Sequence, residues 1–139
     1  MRKNMKSLKI LLVEDNLALA KSTAKLIKRI GGHQVQLTDE PKTIFELCTA
    51  GEVDIILMDI NLPGAFWCGK EVSGTDLSRL LKANKETATI PIILLTAYAT
   101  LRERESLLAD SEANEFFAKP INDYAALIKA IELLVDASL

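Results

Sequence analysis

Short apolar runs alternate along the chain with segments whose apolar residues recur at helical spacing. Strand-like patterns, either continuous apolar runs or apolar–polar alternation, cover 8–13, 33–37, 54–58, 90–95 and 115–118. Helical spacing covers 16–30, 41–48, 75–85, 101–109 and about 123–136. The pattern therefore predicts five strand–helix units in succession.

Such a succession predicts an α/β fold, because each strand–helix–strand connection crosses over in a right-handed sense and leaves neighbouring strands parallel. We expect a doubly wound (βα)5 three-layer sandwich, with a five-stranded parallel sheet between two layers of helices. The 139 residues contain no linker-like stretch, so residues 1–139 are predicted to form one domain with an ordered core at about 7–136.

Composition narrows the classes of function. Apolar residues make up 49% of the chain and its net charge is −2, which excludes a disordered chain and disfavours direct nucleic-acid binding. No apolar run is long enough for a membrane span, and 10–13 is too short for the core of a signal peptide. Cys48 and Cys68 lack metal-site spacing and are expected to be reduced thiols, so we expect a cytoplasmic protein that contacts no membrane.

Chemically active side chains follow four of the predicted strands. Glu14 and Asp15 follow the first, Asp59 the third, Thr96 the fourth and Lys119 the fifth. The carboxyl ends of parallel strands share one sheet edge, where ligands of doubly wound folds bind. Two carboxylates about 5 Å apart repel by roughly 3 kcal/mol at an effective dielectric of 20. A single lysine does not offset three of them, so the set predicts a site for Mg²⁺ and a phosphoryl group.

Four motifs at these strand ends resemble those of response regulator receiver domains in two-component signalling, including the chemotaxis-regulator-like single-domain type. In order, they are "ILLVEDN", "DIILMDINLPG", "PIILLTAY" and "FFAKP". The resemblance covers essentially the whole chain and implies the flavodoxin-like sheet order 2-1-3-4-5, counted along the predicted strands. It also implies a phospho-acceptor that catalyses its own phosphorylation and slow dephosphorylation, and not an enzyme in the usual sense.

The resemblance assigns a role to each matching residue. Asp59 would accept a phosphoryl group from a sensor histidine kinase or a histidine phosphotransfer protein. Glu14, Asp15, Asp59 and the backbone carbonyl of Asn61 would hold Mg²⁺ or Mn²⁺. Lys119 would pair with the phosphoryl oxygens.

Further positions are implied to switch or tune the phosphorylated state. Thr96 would move toward the phosphoryl group and let Phe116 turn inward, although Phe116 could equally be an ordinary core residue. Asn61 and Tyr98 are the positions that tune hydrolysis. The bulk of Tyr98 predicts a long-lived phosphorylated form, which comparison with Tyr98→Ala would test.

Two parts of the sequence could contact other proteins, and the first of them also departs from the family pattern. The segment 64–71 is an insertion beside the site, and its Phe66 and Trp67 would either pack on the domain or contact a partner. A second, alanine-rich stripe runs along the last helix and forms either a tolerant outer face or a homodimer or target surface with the fourth helix and fifth strand: Ala126, Ala130, Leu133 and Ala137.

We expect the protein to signal through contacts with a downstream protein target. It would be a stand-alone receiver or a receiver excised from a larger regulator or hybrid kinase. The alternatives are a non-phosphorylated pseudo-receiver that only binds proteins, a flavin-binding carrier and a metal-dependent phosphatase. The acidic loop at 14–16 disfavours flavin phosphate, Asn61 stands where the phosphatase pattern has aspartate, and His33 is expected to be structural.

Overall fold

A computed structural model describes residues 7–97 and 100–139. Its helices and strands are β1 (Lys9–Val13), α1 (Leu17–Gly31), β2 (Gln34–Thr38), α2 (Pro41–Thr49), β3 (Ile55–Asp59), β4 (Phe66–Trp67), β5 (Lys70–Glu71), α3 (Gly74–Ala83), β6 (Ile92–Thr96), α4 (Leu101–Ser111), β7 (Glu115–Ala118) and α5 (Tyr124–Ser138). Tyr98 lies outside the described residues.

Five parallel strands form the main sheet in the order β2-β1-β3-β6-β7. Counting only these strands along the chain gives 2-1-3-4-5, so the predicted α/β fold and strand order are confirmed. The central strand β3 is buried along its whole length, as its continuous apolar run predicts.

Each sheet face packs against its own helices. Leu11, Ile56 and neighbouring residues contact α2 and α3 on one face, while Ile10, Leu57 and neighbouring residues contact α1 and α5 on the other. Cys48 is buried in the first of these cores, and burial raises the pKa of its thiol to about 12. This core supports the strand ends at which the functional side chains stand.

Side-chain hydrogen bonds cap the N-termini of α1 and α3, which start close to the ends of β1 and β3. The Asn16 side chain caps α1 by accepting a hydrogen bond from the Leu19 N–H at 3.1 Å. Ser73 and Asp76 form a reciprocal capping box that begins α3. Both helices therefore start at defined residues, immediately after Glu14–Asp15 in one case and against the end of β3 in the other.

His33 contributes to the packing and lies near the start of β1, at the opposite end of that strand from Glu14. Its ring is buried, and its Nδ1 accepts a hydrogen bond from the Leu8 N–H at 3.1 Å. The Nε2 therefore carries the proton and donates to the Glu132 carboxylate at 2.7 Å. The histidine ties the start of β1 to α5, which supports the structural role expected for it.

The insertion folds as a two-stranded antiparallel hairpin, β4–β5. Cys68 and Gly69 connect its strands, with φ angles of 54° and 79°. Positive φ at both central residues is typical of the tight turn that suits a hairpin's twist. The Trp67 ring stacks on Phe45 of α2 with centroids 4.4 Å apart, while Phe66 is 59% exposed. One aromatic residue packs on the domain and the other is presented to solvent.

This division predicts different stabilities for two neighbouring variants. Trp67→Ala is expected to lower the free energy of unfolding by about 1–2 kcal/mol, because it removes the stacked pair and the area it covers. Phe66→Ala is the matched control and should change stability by less than about 0.5 kcal/mol. Urea unfolding followed by far-UV circular dichroism compares them, and equal effects would contradict the packing described here.

No helix in the described part of the chain is long and apolar enough to cross a bilayer.

Candidate functional site

The structure brings the predicted side chains to one edge of the sheet. Asp59 ends β3 and Thr96 ends β6, while Glu14 and Lys119 directly follow β1 and β7. Because the strands are parallel and nearly in register, their carboxyl ends lie side by side. Residues distant in sequence therefore meet in one shallow site.

Lys119 links the two buried carboxylates. Its Nζ lies 3.1 Å from Glu14 Oε1 and 3.1 Å from Asp59 Oδ2. The Glu14 and Asp59 side chains are 4% and 6% exposed, and the Lys119 side chain is 24% exposed. Burial by itself lowers the pKa of Lys119, but its hydrogen bonds and attraction to Asp59 and Glu14 outweigh burial, so the pKa is raised above 10.5. The lysine remains charged throughout the physiological range.

A backbone N–H two residues further along the chain holds the other oxygen of each carboxylate. The Asn16 N–H donates to Glu14 Oε2 at 3.1 Å, and the Asn61 N–H donates to Asp59 Oδ1 at 3.3 Å. Each buried carboxylate therefore accepts a hydrogen bond on one oxygen from Lys119 and on the other from a backbone N–H of the loop that follows its strand. The two carboxylates are oriented by the fold.

Asp15 completes the acidic group at its exposed side. One carboxylate oxygen from each of Glu14, Asp15 and Asp59 can be chosen so that all three lie within 4.8 Å of one another. Partial burial raises the pKa of Asp15, and the hydrogen bond with Glu14 and the Glu14 negative charge raise it further. The negative charge of this group exceeds what Lys119 offsets, and all its donors are oxygens, so the residues fit a hard divalent cation.

Gly74 is a site residue to which the sequence pattern assigns no role beyond the opening of the third helix. Its N–H donates to the Ile60 carbonyl at 2.9 Å. A Cβ placed on Gly74 would lie 1.9 Å from the Asp59 carbonyl oxygen. Only glycine lets α3 begin this close to the backbone of Asp59. The sequence signal for this contact is a glycine directly after the residue that caps α3.

Thr96 and Phe116 occupy neighbouring strands beside the cluster. Thr96 is 2% exposed, and its carbonyl accepts a hydrogen bond from the Lys119 N–H at 2.8 Å. Phe116 is half-buried, with the Arg104 guanidinium 4.8 Å from its ring centroid. Its ring therefore packs between the core and a charged residue of α4.

The possible dimer face on α5 is uneven. Ala126 and Ala137 are exposed and Leu133 is 59% exposed, but Ala130 packs partly into the core. A homodimer or target surface made by α4, β7 and α5 stays a prediction.

Two clefts flank the acidic group. One, of about 370 Å³, runs from Asp15 past the start of α2 to Phe66 of the hairpin. The other, of about 340 Å³, lies between α1 and the residues after β7 and is lined by Glu14, Lys119 and Tyr124 among others. The acidic group can therefore be reached from both clefts.

Comparison with known proteins identifies the family to which the chain belongs. The model of the response regulator receiver domain family matches residues 10–132. The chain belongs to the response regulator receiver domain family. Receiver domains are phospho-acceptors of two-component signalling.

Individual relatives differ in their organisation. Chemotaxis protein CheY-3 of Vibrio cholerae is 28% identical over 126 residues, which cover 89% of this chain and 88% of the relative. Hybrid signal transduction histidine kinase M of Dictyostelium discoideum is 36% identical over 130 residues, but these are only 5% of that protein.

Among solved structures, the receiver domain of a sensor histidine kinase from Pseudomonas aeruginosa has a magnesium ion coordinated in its active site cleft. It is 28% identical, with a TM-score of 0.75 and coverage of 94% of this chain and 99% of that one. Receiver domains bind Mg²⁺ at an acidic pocket, and the described residues of this chain contain such a pocket.

Proposed function

We propose that Asp59 accepts a phosphoryl group from a phosphohistidine of a sensor histidine kinase or a histidine phosphotransfer protein, in a reaction that depends on Mg²⁺ or Mn²⁺. The observation that carries this proposal is the position of Lys119, 3.1 Å from carboxylate oxygens of both Glu14 and Asp59 beside the exposed Asp15. The phosphorylated domain would then act through contacts with a downstream protein.

The reaction forms a bond between a carboxylate oxygen of Asp59 and phosphorus, while the bond from phosphorus to the donor's imidazole nitrogen breaks. The electron pair of that bond remains on the imidazole, and the product is an acyl phosphate. Lys119 is already charged and oriented by Glu14, so it can pair with an oxygen of the arriving phosphoryl group. A divalent cation held by Glu14, Asp15, Asp59 and the Asn61 carbonyl would supply neutralising charge to the carboxylates and phosphoryl oxygens.

Phosphorylation changes the charge and hydrogen bonding next to Thr96. The phosphoryl group carries about −1.5 to −2 charge and three acceptor oxygens, so the Thr96 hydroxyl gains a strong acceptor. Movement of Thr96 would free space that Phe116 can enter by leaving the Arg104 guanidinium. Coupling of this kind is typically worth about 1–3 kcal/mol and shifts a population of states on the α4, β7 and α5 face.

The exposed side of the hairpin is our candidate for recognition of the partner. Phe66 lies in the wall of the cleft that also contains Asp15, so a docked protein could contact both. Trp67 holds the hairpin to α2 and leaves Phe66 presented to solvent.

Intact-mass measurement with acetyl phosphate and Mg²⁺ tests the acceptor. We expect a mass gain of one phosphoryl group that is lost in Asp59→Ala, because the Asp59 carboxylate stands at the end of the central strand β3 with one oxygen 3.1 Å from Lys119 Nζ. Asp39→Ala is the matched control: Asp39 is an exposed aspartate of the neighbouring cleft, outside the acidic group, and its replacement should leave the gain intact.

The same experiment separates a receiver from a protein-binding module that is not phosphorylated. A gain that persists in Asp59→Ala would place the acceptor elsewhere. No gain from acetyl phosphate, and none from a phosphorylated histidine kinase domain, would overturn the proposal.

A further inference from the structure

A groove between α1 and β2 shares no residue with the acidic group of Glu14, Asp15 and Asp59. Its volume is about 520 Å³. Three lysines, Lys21, Lys25 and Lys28, stand along its α1 side, and Val35 and Leu37 of β2 supply apolar surface. The groove therefore combines positive charge with an apolar floor.

The floor is accessible because β2 is an edge strand of the sheet. Val35 pairs with Ile10 and Leu37 with Leu12, so both side chains point to the face that α1 and α5 cover. They remain only half-buried, unlike Ile10 and Leu12 of β1, which are buried. Aliphatic surface is thus left open beside the helix.

The charge along α1 has one sign. The helix contains Lys21, Lys25, Lys28 and Arg29 and no acidic residue. The three groove lysines are spaced four and three residues apart, which places them in one stripe, and all are exposed. Within residues 7–97 and 100–139 none of the three forms an ion pair. Like charges at this spacing destabilise a helix. Of the three, only Lys28 lies in the last turn, where the helix dipole favours a cation, so Lys21 and Lys25 do not serve the stability of α1.

We propose that this groove docks a short acidic segment of a partner protein, with carboxylates on the lysine stripe and aliphatic side chains against Val35 and Leu37. Complementary charge at the lysine stripe would steer such a segment to this groove, although the net charge of the whole chain is −2. Burial of the aliphatic side chains in the floor would retain it there.

Other polyanionic partners fit the groove less well. Single-stranded nucleic acid is held by stacking on aromatic side chains, and the residues that line this groove include none. A membrane surface requires apolar side chains that project outward, whereas Val35 and Leu37 are recessed beside α1. A peptide can supply both the charge and the narrow apolar anchors.

The docking proposal does not depend on phosphorylation of Asp59, because the groove and the acidic group share no residue. Peptide binding and phosphorylation can therefore succeed or fail separately. Lys25→Glu should still be phosphorylated to the same extent as the parent protein.

Fluorescence anisotropy with a labelled peptide that alternates glutamate and leucine tests the proposal. We expect saturable binding that weakens with salt and becomes about tenfold weaker in Lys25→Glu. Lys129→Glu makes the same charge change at an exposed position of α5 and should bind as the parent does. In backbone amide NMR, the peptide should shift the signals of Val35 and Leu37.

Four results would overturn the proposal. One is the absence of saturable binding of the glutamate–leucine peptide. Another is equal binding of a peptide with glutamine in place of glutamate, and a third is equal loss of affinity in Lys25→Glu and Lys129→Glu. The fourth is tighter, Lys25-dependent binding of a DNA oligonucleotide or anionic vesicles, which would assign the groove to those partners.

Discussion

Lys119→Met is expected to lower the free energy of unfolding by about 2–3 kcal/mol in the absence of divalent cations. The substitution keeps the aliphatic stem but removes the ammonium group that lies between Glu14 and Asp59. Two carboxylates that are 4% and 6% exposed would then face each other without their cation. The expected loss is smaller than for a fully buried pair, because the 24% exposure of Lys119 lets water screen the site.

The sign of the pH dependence follows from the raised pKa of Lys119. The folded state holds the lysine proton more tightly than the unfolded state, so the stabilisation is fully present below about pH 10.5 and lost as pH rises through the folded pKa. The difference between parent and variant should therefore be constant from neutral pH to pH 9 or so and shrink only in strong alkali.

Urea unfolding with a chelator present measures the effect, with Lys129→Met as the control. Lys129 is an exposed lysine of α5 without an ion pair in the described residues, so its loss should change stability by less than about 0.5 kcal/mol. Added Mg²⁺ should restore part of the stability of Lys119→Met, since cation binding favours the folded state. Equal stability of the two variants without Mg²⁺ would contradict the role given to Lys119.

Sequence patterns predicted the sheet because β1, β3 and β6 are short, mainly apolar runs and β2 alternates apolar and polar residues. The run at 54–58 is typical of a strand buried on both faces of a parallel sheet, and β3 lies in the middle of the sheet. Strand ends could be located to within a residue or two, so Asp59 and Thr96 could be assigned to the same edge. The strand order came from the resemblance, since local patterns do not say which strands are neighbours.

Contacts between elements were beyond the reach of the same reasoning. Strands of two residues, such as β4, have no periodicity to detect, and the stacking of Trp67 on Phe45 depends on where α2 lies. Lys21 and Lys25 look like an ordinary solvated helix face until β2 is seen to be an edge strand. These features arise from packing between elements, and the spacing of residues along the sequence does not reveal them.

The distance between Gly74 and Asp59 predicts an unusual response to alanine. In most helices, replacing glycine with alanine stabilises the fold by about 0.5–1 kcal/mol. At Gly74 the new Cβ would lie 1.9 Å from the Asp59 carbonyl oxygen and 2.9 Å from the Ile60 Cα. Those atoms belong to the backbone and cannot rotate away, so α3 or the end of β3 must shift. We expect Gly74→Ala to lower the free energy of unfolding by about 1–3 kcal/mol.

The same shift should slow phosphorylation, because it displaces the backbone that carries the Asp59 carboxylate relative to Lys119. Gly51→Ala separates this effect from simple loss of stability. Gly51 has a φ of +77° and open space around it, so alanine there costs roughly 1–2 kcal/mol of backbone strain without touching the site. Chemical denaturation and the rate of mass gain with acetyl phosphate compare the two variants. Both should lose stability, but only Gly74→Ala should be phosphorylated more slowly, and a parent-like rate in Gly74→Ala would show that the close contact does not position Asp59.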